Sequence, residues 1–213
     1  MMFCGREEIL FPRLVFNSEN PIEGAIVLTA EQKHQRWQEV TTWCEQLDPR
    51  YPVDPGIKET VIALNVLDIP TAMSCEGHLH GPFAPWVNIA AADFYEKRKR
   101  IEQVENWLEQ QPETDETRRV VEYMEQQKST TIQQHLPIRM RLYDYLARFY
   151  QDRSVPYEQR LVLSGGDGIT GLGCQGDVLM EIFPLEVRRV RLVAYQGEMR
   201  AFTDFLKQLY FSA

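Results

Sequence analysis

A chain of 213 residues, 44% hydrophobic and 25% charged, has the composition of a folded globular protein able to bury a sizeable core, which excludes an extended disordered chain. Its formal net charge of −8 weighs against nucleic acid as a partner, because that affinity rests on Lys and Arg neutralising phosphates. The longest apolar run, 61–67, is interrupted by Asn65 and falls far short of the roughly 20 apolar residues of a spanning helix, so no membrane partner is expected.

Residues 1–28 mix Phe3, Ile9, Leu10 and Phe11 with Pro12 and Pro21, the pattern of an extended arm or short edge strand. Thr29 with Gln32 forms a capping-box pattern, and Trp37, Val40, Cys44 and Leu47 follow at helical spacing, which predicts a helix over 30–47 with Trp37 and Cys44 on its buried stripe. Pro49, Pro52, Pro55 and Gly56 punctuate a loop, and a second helix is predicted over 57–67 with Val61, Leu64 and Leu67 inward. From Pro70 the chain extends, and Val87, Ile89 and Ala91 alternate after the loop 76–85, giving an antiparallel strand pair. A connection of that length exceeds the usual hairpin and favours a functional loop.

Residues 93–152 change to charged helix, with one amphipathic pattern around Ile101, Val104 and Leu108 and a break at Gln111-Pro112. A second pattern runs around Val120, Val121 and Met124, and a third starts near Pro137. Strand patterns return over 160–164, 169–174 and 178–183, with a hairpin turn at Asp167-Gly168. A closing amphipathic helix is predicted over 197–211. The order of elements predicts one α+β domain over 1–213: an antiparallel sheet of about four or five strands backed by helices, with 93–152 a central helical insertion. Cys4, Cys44, Cys75 and Cys174 form no CxxC pair and the opening residues show no secretory pattern, so free thiols in a reducing cytoplasm are expected.

The stretch 71–89, TAMSCEGHLHGPFAPWVNI, concentrates the reactive side chains. In an extended segment His78 and His80 share one face about 7 Å apart, and Cys75 could bend toward them through a turn at Gly77. Two imidazoles and a thiolate form a set that Zn²⁺ accepts, with water or one of Cys174, His34, His135 and Glu76 completing four-coordination. A second reading makes Cys75 a nucleophile with His78 or His80 as base and Glu76 as acid or base. In a third, Ser74, the amides around Gly77 and the histidines grip a small polar or anionic molecule, with Trp86 or Phe83 covering its apolar part. A structural role for the loop stays open beside these, as does an interaction module in which the 93–152 helices mediate assembly with a second copy. Gly171-Leu-Gly173-Cys-Gln-Gly176 matches a dinucleotide fingerprint in letters, but a strand pattern follows where that fingerprint needs a helix, so it reads as a glycine-rich hairpin.

Across about thirty of the 213 residues, Ala72-Met73-Ser74-Cys75-Glu76-Gly77-His78 followed by Trp86 resembles the core motif of the wybutosine-synthesising tRNA methyltransferase family, Ser-Ser-Cys-Ser-Gly-Arg. Met73, Glu76 and His78 depart from that motif. The resemblance implies that the loop after the strand binds S-adenosylmethionine or its substrate.

Overall fold

The computed structural model describes residues 28–47, 52–80, 84–91, 93–166, 168–176 and 182–212. The arm expected over 1–28 lies almost wholly outside these residues, as do Asp167, Gly81, Phe83 and most of the strand expected over 178–183. Among these residues, five α-helices and four strands follow in the order α1 (Ala30–Glu45), α2 (Pro55–Val66), β1 (Thr71–Cys75), β2 (Trp86–Ala90), α3 (Phe94–Leu108), α4 (Asp115–Phe149), β3 (Leu161–Ser164), β4 (Ile169–Cys174) and α5 (Leu185–Ser212). The fold is α+β, with a four-stranded antiparallel sheet in the order β1-β2-β4-β3.

The helix starts follow from local chemistry. Thr29 and Gln32 form the expected capping box on α1, and Pro55 occupies the first turn of α2, where its missing N–H leaves no partner unpaired. Seven of the twelve residues of α2 are buried, so this helix is covered nearly all round. It packs on α1, α5 and β1, and the buried Thr60 and Thr203 hydroxyls share a 2.7 Å hydrogen bond between α2 and α5. Val87, Ile89 and Leu172 point from the sheet into a core shared with Leu64, Met199 and Phe202.

Two helical expectations are corrected. The break predicted near Pro137 does not occur, and α4 runs unbroken for 35 residues with Pro137 inside it. A proline there removes the hydrogen bond to the carbonyl of Gln133, but both residues are exposed, so water can serve that carbonyl. Buried Met124 and His135 on one side of the proline and Leu142, Leu146 and Phe149 on the other anchor the helix across the interruption. The closing helix begins at Leu185, twelve residues before its expected start at Gly197. By contrast, the break at Gln111-Pro112 does separate α3 from α4. Along α4, Ile132, Leu136, Met140 and Tyr143 follow one side of the helix and are exposed.

The glycine-rich segment opens within a strand, and the strand expected to return after it lies almost wholly outside the described residues. Gly171 and Gly173 lie within β4, and Gln175 and Gly176 form the turn that follows it. The β3–β4 hairpin carries positive φ at Gly165 and Gly168, 83° and 84°. No helix among the described residues is long and apolar enough to cross a membrane.

His135 ties α4 to the sheet through a 2.9 Å hydrogen bond between its Nε2 and the Thr170 hydroxyl. It is 2% exposed, and its Nδ1 has no partner among the described residues. Burial, reinforced by the charge of Arg139, holds the imidazole pKa below its ordinary value. In the unfolded chain the ring takes up a proton near pH 6.5, and in the folded chain it does so only at lower pH. Below about pH 6.5 the unfolded state therefore binds more protons, and stability falls as pH drops. Urea midpoints measured from about pH 8 down to about pH 5 should decline below about 6.5, and His135→Gln should flatten that decline; equal slopes for both proteins would assign the acid sensitivity elsewhere.

Candidate metal site

Asp54 is the N-cap residue of α2, yet its side chain makes no capping hydrogen bond. Its carboxylate turns instead toward the end of β1. There Cys75, 7% exposed, closes the strand, and the chain leaves through Glu76 and the buried Gly77. Gly77 sits at φ 85°, a left-handed conformation that only glycine adopts without strain. Its N–H donates to Cys75 Sγ at 3.4 Å.

The turn is held from two sides. From α5, Gln196 Nε2 donates to the carbonyls of Glu76 and Gly77 at 3.1 and 3.4 Å. From α2, Asp54 Oδ2 accepts the Glu76 N–H at 3.1 Å, while Glu76 Oε2 accepts the Gly56 N–H at 2.6 Å. His78 then projects back so that its Nε2 lies 3.5 Å from Asp54 Oδ2. One oxygen of Asp54, Sγ of Cys75 and one ring nitrogen of His78 all lie within 4.8 Å of one another. Among the described residues these three are brought together as a group able to hold a metal ion.

The membership differs from the expected Cys75, His78 and His80. His80 is exposed and outside the group. An extended chain would place residues 78 and 80 on one face, but the positive φ at Gly77 ends the strand geometry on which that alternation depends. Asp54, 21 residues upstream of Cys75, takes the third place. The Asp54-Pro55 pair signals a helix start, and nothing in sequence spacing ties it to the loop.

The other expected residues are placed as follows. Ser74 precedes Cys75 in β1, so its side chain faces the opposite side of the sheet. Trp86 is the cross-strand partner of Cys75, on the same face one strand over, and Gly173 of β4 continues that row. The Glu76 carboxylate is engaged by Gly56. Of the distal ligand candidates, His34 donates from Nδ1 to Ala30 O at 2.7 Å and packs on Phe211, His135 bonds Thr170, and Cys174 is buried at the end of β4.

Burial raises the Cys75 thiol pKa above its ordinary value, and the carboxylates of Asp54 and Glu76 push the same way against the Gly77 N–H. A thiol in that environment is a poor nucleophile at neutral pH. A divalent cation reverses this electrostatic logic, because a coordinating thiol gives up its proton outright. Cys44, whose thiol is also shifted, has its pKa pushed up to about 11 by burial between α1 and α2. In comparisons with known proteins, the chain matches no family model, no curated protein and no solved structure.

Proposed function

We propose that this protein binds a divalent transition metal, with Zn²⁺ the best match, through Asp54, Cys75 and His78, leaving one coordination position open to water or a small anionic ligand. The observation that carries this reading is the convergence of a thiol, an imidazole and a carboxylate within 4.8 Å on a loop braced by α2 and α5. Ordinary zinc bonds to these atoms imply donors about 3.4 Å apart in a tetrahedron. The half-exposed His78 is the member free to close that gap. A thiolate in the set favours zinc over the oxygen-seeking Mg²⁺ and Ca²⁺.

Three protein ligands with one open position is the arrangement of catalytic zinc sites, in which a bound metal polarises a carbonyl or acidifies a coordinated water. Trp86, one strand away on the same face, offers an apolar wall to a molecule bound there.

Metal uptake by the purified full chain tests this reading. Protein stripped with a chelator should take up one equivalent of Zn²⁺. At a free metal concentration of about 100 times Kd, binding stabilises the folded state by about 2.7 kcal/mol, which for a chain of this size raises the melting temperature by roughly 5 to 10 °C. A chain that takes up no metal and melts identically with zinc and with chelator would reject the proposal.

A further inference from the structure

We infer that Glu76 is the positioning residue of the metal site: it caps α2 in place of Asp54 and so leaves the Asp54 carboxylate turned toward Cys75 and His78. The inference rests on the metal-site reading above. An aspartate at an N-cap ordinarily accepts the backbone N–H of the second or third helical residue. Here the second, Gly56 N–H, goes to Glu76 Oε2 at 2.6 Å, and the third, Ile57 N–H, goes to the main-chain carbonyl of Asp54 at 3.1 Å.

The helix start thus still has a carboxylate against its positive end, but the carboxylate comes from the loop. Asp54 Oδ2 in turn accepts the Glu76 N–H at 3.1 Å and stands 3.5 Å from His78 Nε2. The arrangement is like a capping box made between two distant segments: Asp54 accepts the backbone N–H of Glu76, and Glu76 accepts that of Gly56, the second residue of the helix that Asp54 precedes. Gly56 makes room for it: a Cβ there would stand 2.7 Å from Glu76 Oε2 and 3.3 Å from Glu76 Cβ. The engaged carboxylate of Glu76 is a brace, which separates it from the acid or base role its place beside Cys75 suggests.

Two measurements on the full chain test this. In Zn²⁺ titrations against a chromophoric competitor, Glu76→Ala should weaken binding at least about tenfold, the range seen when an outer support of a ligand is lost. Glu76→Gln, which keeps an acceptor oxygen, should recover most of that loss. Gly56→Ala retains the N–H but crowds the carboxylate out, so it should weaken Zn²⁺ binding without lowering the melting temperature.

Melting of the metal-free protein supplies the second readout. With Glu76 removed, Asp54 can fold back onto its own helix, so Glu76→Ala alone should lower the melting temperature little, and Asp54→Ala with Glu76→Ala should lower it by more than the sum of the single losses. Two residues that merely touch give the opposite sign, a double loss smaller than the sum. Wild-type Zn²⁺ affinity in Glu76→Ala, or melting losses that add or fall short of the sum, would overturn the inference. A wild-type protein that takes up no Zn²⁺ would instead overturn the proposed function, while the melting cycle still decides whether the caps are exchanged.

Discussion

Cys75→Ser is expected to lower Zn²⁺ affinity by at least about 100-fold, since even loss of an outer-shell support costs 10- to 100-fold and this substitution removes a proposed ligand. Serine keeps nearly the same shape in a site that is 7% exposed, so the fold should survive. What changes is the donor: a thiol loses its proton to a bound divalent ion, whereas a serine hydroxyl at neutral pH stays protonated and binds weakly. Co²⁺ provides a direct readout, because a sulfur-to-metal charge-transfer band should appear in the near ultraviolet for the wild type and be absent from Cys75→Ser. His78→Ala should weaken binding while leaving that band detectable at high Co²⁺, which separates the roles of the two donors. Undiminished affinity in a Cys75→Ser, His78→Ala double variant would sink the assignment of both residues.

Phe202→Ala is expected to remove about 3 to 5 kcal/mol of stability, the usual loss for a fully buried aromatic. Phe202 is 0% exposed in the middle of α5, with its ring 5.2 Å from Phe149 of α4 and 6.1 Å from Phe205. The substitution both exposes the core to an unfilled cavity and deletes aromatic contacts worth about 0.5 to 1.5 kcal/mol beyond buried area. Against a total of about 5 to 15 kcal/mol for a natural protein, this is a large fraction. Tyr143→Ala, on the exposed side of α4 with its side chain 62% accessible, should change stability by only about 0.5 kcal/mol. Urea unfolding of both variants checks the contrast; a Phe202→Ala midpoint close to that of Tyr143→Ala would mean that α5 does not close the core there.

Where local chemistry decides an element, the sequence was informative. Thr29 with Gln32 placed the start of α1, and its apolar period put Cys44 on the buried side. The end expected for the second helix at Leu67 and the break at Gln111-Pro112 fall close to where α2 and α3 end. Glycines between apolar runs marked the β3–β4 hairpin, and the alternation of Val87 and Ile89 marked a strand with one buried face. Prolines and glycines misled where tertiary contacts outweighed them. Pro137 reads as a helix start, yet packing on both sides carries α4 through it. Gly197 reads as the edge of the last helix, yet its neighbours Tyr195, Glu198 and Met199 are all buried in contact with the rest of the chain.

By itself, the sequence determined an α+β chain with a polar loop at the end of a strand, because helical period, alternation and turn residues act over only a few neighbouring positions. It also singled out Cys75 and His78, which the fold brings together. Only the tertiary structure decided that Asp54 joins them, that His80 does not, and that Glu76 is bound to the start of α2. Those outcomes depend on the packing of α2 against β1 and on one left-handed residue, Gly77, that redirects the chain after the strand. Neither the docking of a helix across twenty residues of chain nor the direction of side chains beyond such a turn is encoded in periodicity.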